Sequence, residues 1–172
     1  MSAKITIRAE AEGDRKAVWA VNQAAFPSDA EANLVDELRD GGLATVSLVA
    51  EVEGKVVGHI LFSPLAIITT SKTVQAVSLA PMAVLPSHQR QNVGSKLVET
   101  GLNVCREQGH SIAVVLGHPT FYPRFGFSAD LATPLANPFG DGEAWMAIQL
   151  VPGALIDIKG RVEYPAPFNT LK

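Results

Sequence analysis

The stretch Leu85-Pro86-Ser87-His88-Gln89-Arg90-Gln91-Asn92-Val93-Gly94-Ser95-Lys96-Leu97 sets a basic, glycine-containing turn directly before a helical apolar pattern. The first turn of an α-helix leaves backbone N–H groups without internal partners and carries partial positive charge. Such an end is a ready anion site. Asn92 tolerates left-handed backbone, Gly94 permits close approach, and Arg90 and Lys96 add positive charge. These residues form a candidate pyrophosphate-binding turn. The alternative is an ordinary capped loop. Two familiar nucleotide signatures fail in this stretch, since neither G-x-x-x-x-G-K-[ST] nor G-x-G-x-x-G occurs there.

The elements around this turn must position it. Residues 4–9 alternate apolar and polar, as a strand does. Asp14 can cap a helix running to about Phe26, with Val18, Val21 and Ala25 on one stripe. Ser28 and Glu31 make an S-x-x-E capping box for a second helix with Leu34, Val35 and Leu38 inward, ended by Gly41-Gly42. Val46–Val52 and Val56–Phe62 flank Glu53-Gly54-Lys55 as a hairpin. Gln75–Val84 reads as a strand. Residues 92–108 read as a helix, with Val93, Leu97, Val104 and Cys105 near one face and Gly109 at its C-cap. Ile112–Leu116 is a short apolar run typical of a buried strand, and Trp145–Val151 is a late strand. The tail from about residue 152 carries Pro152, Pro165 and Pro167 and reads as mostly irregular. The order β-α-α-β-β-β-α-β-(short α)-β predicts an α+β or mixed α/β fold. Its unit from 75 to 116 should be a right-handed crossover between parallel strands.

Composition narrows the classes. The chain has 172 residues, 47% hydrophobic and 18% charged, which predicts one globular domain over 1–172. No apolar run approaches the roughly 18 residues of a membrane span, and no secretory signal is visible at the N-terminus. A soluble, cytoplasmic protein is the expectation. The net charge of −3 argues against a nucleic-acid partner. The single Cys105 excludes an internal disulfide and a cysteine-based zinc site. His59 and His88 lack paired ligand spacing, so no metal is expected.

Gln89-Arg90-Gln91-Asn92-Val93-Gly94 resembles the [QR]-x-x-G-x-[GA] motif of the GNAT superfamily of N-acetyltransferases, with Asn92 in place of the first glycine. Met82-Ala83-Val84-Leu85-Pro86 looks like the strand that precedes that motif. Tyr122-Pro123-Arg124-Phe125-Gly126-Phe127 matches the family's Y-x-x-x-G-F. The longer run from Leu116 to Phe127, with Glu143-Ala144-Trp145-Met146 and Pro152-Gly153-Ala154-Leu155, is similar to the YhbS-like branch. The resemblance covers nearly the whole chain. It implies a mixed, mostly antiparallel sheet flanked by helices, with the fourth strand bulged and splayed from the fifth near Pro81–Val84. It implies that amides at Gln89, Arg90, Gln91, Asn92, Val93, Gly94 and Ser95 hold the pyrophosphate of acetyl-CoA. Backbone at Met82, Ala83 and Val84 then pairs with its pantetheine arm. A homodimer is a further expectation by analogy.

Acetyl transfer from a thioester to an amine needs an anchored cofactor, a polarised carbonyl, a proton acceptor and a proton donor. Tyr122 is the candidate acid beside the leaving sulfur, since a thiol near 8.5 and a phenol near 10 are within reach of each other; its other reading is a packing residue. Only about one alkyl amine in 2,500 is neutral at pH 7, so a base is needed. The strand Val74–Met82 holds no acid. Glu31 and His118 are the candidates, with Glu143 a weaker third. Glu31 also fits the capping box, and His118 also fits a structural loop role. Arg124 could face the cofactor or a carboxylate, while Cys105 and Trp145 read as core. The reading is an acetyl-CoA-dependent N-acetyltransferase acting in a ternary complex on an unidentified primary amine, either of a small molecule or of a protein lysine or N-terminus. The alternative is an acyl-CoA sensor that transfers nothing.

Overall fold

The strands between residues 46 and 84 pair in sequence order, because turns of two and four residues bring each neighbour alongside, while the first strand joins them only after two intervening helices. A computed structural model describes residues 4–171; residues 1–3, part of the stretch read above for a leader, lie outside it. β1 (Ile5–Ala9), β2 (Val46–Val52), β3 (Lys55–Ile68) and β4 (Thr73–Val84) form an antiparallel meander. Glu53 and Gly54 both take left-handed backbone, φ 53° and 76°, the conformation a two-residue hairpin turn demands. Lys55 therefore belongs to β3, one residue earlier than the hairpin pattern indicated.

β5 (Ile112–Leu116) joins β4 in parallel, and β7 (Trp145–Gln149) joins β5 antiparallel. The eight-stranded sheet runs β1-β2-β3-β4-β5-β7, with β6 (Leu135–Ala136) and β8 (Gly160–Glu163) beside the far end of β3. The tail read as mostly irregular from its prolines carries β8 among its turns. β8 pairs with Ala66–Ile68, and Phe168 is 2% exposed in the core. Its prolines sit outside β8, where no ladder bond is lost.

Helices cover both faces. α3 (Val93–Glu107) buries Val93, Leu97, Val98, Leu102 and Cys105 against Leu48, Ile60, Phe62, Val77 and Leu79. Its close approach depends on Gly101, where a Cβ would lie 2.5 Å from Cε1 of Phe62. α1 (Arg15–Ala25) and α2 (Ala30–Asp40) lie on the opposite face, with Val18, Leu34, Val35 and Leu38 packed on Val49, Leu61 and Phe168. Each such buried aliphatic side chain contributes about 1.5–3 kcal/mol. A short α4 (Ala129–Ala132) is capped by Ser128, whose Oγ accepts from the Leu131 N–H.

Asp14 precedes α1 but does not cap it with its side chain. Its carboxylate instead accepts from the Ala11 N–H at 2.7 Å and pairs with Arg8, which holds its pKa down at about 2. The nearby charge on Arg8 outcompetes the helix end. No described helix is long and apolar enough to cross a membrane.

Candidate active site

β4 carries the irregularity that opens the sheet. Its register with β3 shifts between Phe62–Leu79 and Ile60–Met82, so Ala80 and Pro81 bulge opposite Leu61. Pro81 has no N–H to give to a ladder. β4 pairs with β5 only at Val77–Ala113 and Ser78–Val114. Beyond those residues the two strands part, leaving the bulge on one side of a gap and Leu116-Gly117 on the other. Leu116 is 40% exposed there.

The turn before α3 stands at the mouth of this gap. Asn92 is left-handed, φ 69° and ψ 9°, and its side chain caps nothing. That conformation accounts for asparagine at the first glycine position of the motif, because Asn follows Gly in tolerating it. Arg90 is also left-handed, φ 64°, which the sequence did not signal. The amides of Val93, Gly94 and Ser95 open the helix and have no partner one turn back; the first helical bond of this end runs from Lys96 N–H to Asn92 O at 3.0 Å. Arg90 and Lys96 are exposed, and neither forms an ion pair among the described residues. Gln89 donates through Nε2 to the Val84 carbonyl at 3.0 Å, tying the turn to the end of β4. Gln91 does the same within the turn, to Ser87 O at 3.3 Å. Both side chains shape the turn, and their backbone is what remains for an anion.

Gly94 is where the parts meet. A Cβ built there would lie 3.4 Å from Cε of Met82 on β4 and 3.7 Å from Cζ of Phe121. Phe121 packs edge-on against Tyr122, with centroids 5.0 Å apart. Tyr122 in turn rests on Gly117 at the end of β5. The structure therefore brings Met82, Gly94 and Tyr122 into one continuous group, although forty residues of chain separate the first and the last. Ala83 and Val84 continue β4 past the bulge, paired to His59 and Gly58 of β3.

Tyr122 is 7% exposed, and burial pushes its phenol up to about 12. Its hydroxyl makes no hydrogen bond among the described residues. Gly126 takes φ 104° just after this turn, which explains the glycine of the Y-x-x-x-G-F pattern. Arg124 lies over the Phe121 ring, 5.4 Å from its centroid, and so stacks on an aromatic face rather than pairing with a carboxylate.

The proton-acceptor candidates are placed differently from one another. Glu31 does not close a capping box. Asp29 is the N-cap residue of α2, and Ser28 Oγ accepts from the Ala30 N–H at 3.3 Å. Oε1 of Glu31 is buried with no hydrogen-bond partner. His118 is exposed, and only its backbone is engaged, its carbonyl accepting from Phe121 and Tyr122 at 3.1 and 3.3 Å. Glu143 is exposed in the short turn before β7. Cys105 is fully buried and its thiol is raised to about 12 by desolvation, so it stays an uncharged core residue. Trp145 is also core, its Nε1 donating to Leu135 O at 2.8 Å. No group of three or more His, Cys, Asp or Glu suited to a metal occurs among the described residues.

Bulged strand, parted neighbours and helix end define an acyltransferase fold, and sequence comparison agrees. The model of the acetyltransferase (GNAT) domain matches residues 6–129. The chain belongs to this family of N-acetyltransferases. It is 37% identical over 165 residues to the uncharacterized N-acetyltransferase YhbS of Escherichia coli K12, covering 95% of this chain and 98% of that protein. The crystal structure of E. coli YhbS in complex with CoA superposes with a TM-score of 0.90 at 34% identity, covering 98% of this chain and 94% of the other. A GNAT acetyltransferase from Brucella melitensis in complex with acetyl-CoA gives 0.80 at 32% identity, with 97% and 99% covered.

Proposed function

We propose that the whole chain acts as one domain that transfers the acetyl group of acetyl-CoA to a primary amine, by direct attack in a ternary complex. The observation that carries this reading is the parting of β4 from β5 beyond Ser78 and Val114, with the uncapped start of α3 on one side and Tyr122 on the other. The similar YhbS and Brucella structures contain CoA and acetyl-CoA, which supports the choice of donor. Use of this donor fits a cytoplasmic protein.

The residues divide the chemistry as follows. Amides of Val93, Gly94 and Ser95 take the pyrophosphate, with Arg90 and Lys96 adding charge. Backbone at Met82, Ala83 and Val84 pairs with the pantetheine amides. An N–H freed by the β4 bulge polarises the thioester carbonyl as negative charge develops there. Glu31, whose buried oxygen lacks a partner, takes the proton of the amine. Tyr122 faces the leaving sulfur. A phenol held near 12 keeps its proton across the working range. Full transfer from it to a thiolate of about 8.5 runs uphill. Its contribution is therefore a hydrogen bond that steadies the sulfur, rather than the matched proton transfer its unperturbed value suggested.

The test has two arms. Calorimetric titration with acetyl-CoA and with dephospho-CoA reads cofactor binding directly. A thiol-release assay with simple primary amines reads transfer. Micromolar binding of acetyl-CoA followed by amine-dependent thiol release supports the proposal. Binding without release from any amine leaves a sensor, and no binding removes the cofactor assignment.

A further inference from the structure

The chain is acidic overall, with 14 Lys and Arg against 17 Asp and Glu. The two segments that meet at Gly94 and Phe121 reverse that balance. Residues 85–98 and 112–129 carry Arg90, Lys96 and Arg124 and no Asp or Glu. Cations gathered without counter-ions raise the local potential and suit an anionic ligand. Arg90 and Lys96 flank the start of α3 and are spoken for by the pyrophosphate. Arg124 is the cation that the chemistry above leaves unused.

Arg124 is held in place without being neutralised. Its guanidinium carbon lies 5.4 Å from the centroid of the Phe121 ring. That ring is itself fixed by edge contacts with Tyr122 and Phe125, at centroid distances of 5.0 and 5.1 Å. Arg124 is exposed and forms no ion pair among the described residues. A planar guanidinium stacks on an aromatic face and keeps its fork of N–H donors free at the rim. A cation positioned in this way loses less freedom on taking a ligand than a side chain extended into water.

The same ring reaches the anion site. Cζ of Phe121 is 3.7 Å from where a Cβ at Gly94 would stand, in the first turn of α3. One phenyl ring therefore separates two cationic centres. The first is the start of α3 with Arg90 and Lys96, and the second is the guanidinium of Arg124. CoA likewise has two anionic centres, its pyrophosphate and its 3′-phosphate, with one ribose between them. A phosphate monoester carries about −1.5 to −2 charge at pH 7 and presents three acceptor oxygens. A guanidinium meets such a group with two parallel hydrogen bonds. The helix amides serve the pyrophosphate, which leaves Arg124 for the second centre.

We infer that Arg124, stacked on Phe121, takes the 3′-phosphate of CoA, so that the protein draws its acyl group from free CoA in preference to thioesters that lack this phosphate. Dephospho-CoA and the phosphopantetheine arm of a carrier protein are donors of that second kind. Neither would clash with Arg124. Each would leave its guanidinium in water and forgo a charge-assisted pair, and so would bind more weakly. The inference deepens the choice of donor made above and rests on the pyrophosphate lying at the start of α3.

The test is calorimetric titration of the full chain with acetyl-CoA and with acetyl-dephospho-CoA, for the wild type and for Arg124→Gln. The wild type should bind acetyl-CoA about tenfold more tightly than the dephospho form. Arg124→Gln should weaken acetyl-CoA binding about tenfold and leave the dephospho form within about twofold, which brings the ratio of the two close to one. Arg124 is exposed, so the variant should keep a Tm within about 2 °C of wild type and the comparison is made on folded protein. Equal wild-type affinity for the two thioesters overturns the assignment, as does a tenfold ratio that survives in Arg124→Gln. Equal weakening of both thioesters by Arg124→Gln puts the residue on the pyrophosphate or the adenine and overturns it too. These three results leave the transfer reading standing. Failure of the wild type to bind either thioester removes the cofactor assignment and this inference together.

Discussion

The Tyr122 ring lies on the bare backbone of Gly117, so close that a Cβ at Gly117 would stand 2.5 Å from Tyr122 Cε2. The residue just after β5 and the candidate donor to sulfur are one packing unit. Gly117→Ala must displace a ring that Phe121 and Phe127 also contact edge-on, at centroid distances of 5.0 and 5.7 Å. The expected outcome is a fall in kcat of about tenfold or more with the tyrosine still present, measured by steady-state thiol release. Unchanged kcat would show that the ring position is not critical.

Removing the hydroxyl alone is the complementary change. Tyr122→Phe should lower kcat by about 10²-fold and leave acetyl-CoA affinity by calorimetry within about twofold. Burial holds the phenol near 12, so its ionisation cannot produce a falling limb in the wild-type pH–rate profile below about pH 10. A limb near pH 8–9 that Tyr122→Phe abolishes would contradict this placement.

Asn92 tests the turn. Its φ of 69° suits glycine without strain. Asn92→Gly should keep acetyl-CoA binding and change stability by only a few tenths of a kcal/mol. Asn92→Val places a β-branched residue in the left-handed region and should cost about 1–3 kcal/mol, with weaker acetyl-CoA binding. Thermal unfolding and calorimetry on the two variants decide it.

His59 makes stability depend on pH. Burial, with a smaller push from Arg39, lowers its pKa from 6.5 to about 3. The unfolded chain therefore binds a proton below about 6.5 that the folded chain refuses. The stability held by the neutral ring is complete above that value and is lost as pH falls toward 3, by up to about 1.4 kcal/mol per pH unit. Urea unfolding between pH 7 and 5 should show this slope in the wild type and a shallower one in His59→Gln. Parallel slopes would mean that the ring is protonated in the folded state.

Much of this molecule is legible along the chain because its signals are local. Alternation marks β1, the Glu53-Gly54-Lys55 turn marks β2 and β3, Val93, Leu97 and Cys105 give α3 one apolar stripe, and the turn Gln89–Ser95 needs only adjacent residues to read as an anion site. Even the left-handed Asn92 follows from what a single side chain tolerates. Local patterns misled where a distant group competed for the same atoms. Arg8 takes the Asp14 carboxylate from the start of α1, and Glu31 turns inward instead of closing a box with Ser28. The proline-rich tail becomes β8 and a core contact because the free edge of β3 is there to pair with. The buried Asn22, His59 and Ser63 carried little signal, being polar residues on apolar stripes. Spacing fixes which face a side chain lies on. Whether a buried oxygen finds a partner depends on which elements are packed together, and that only the tertiary structure decides.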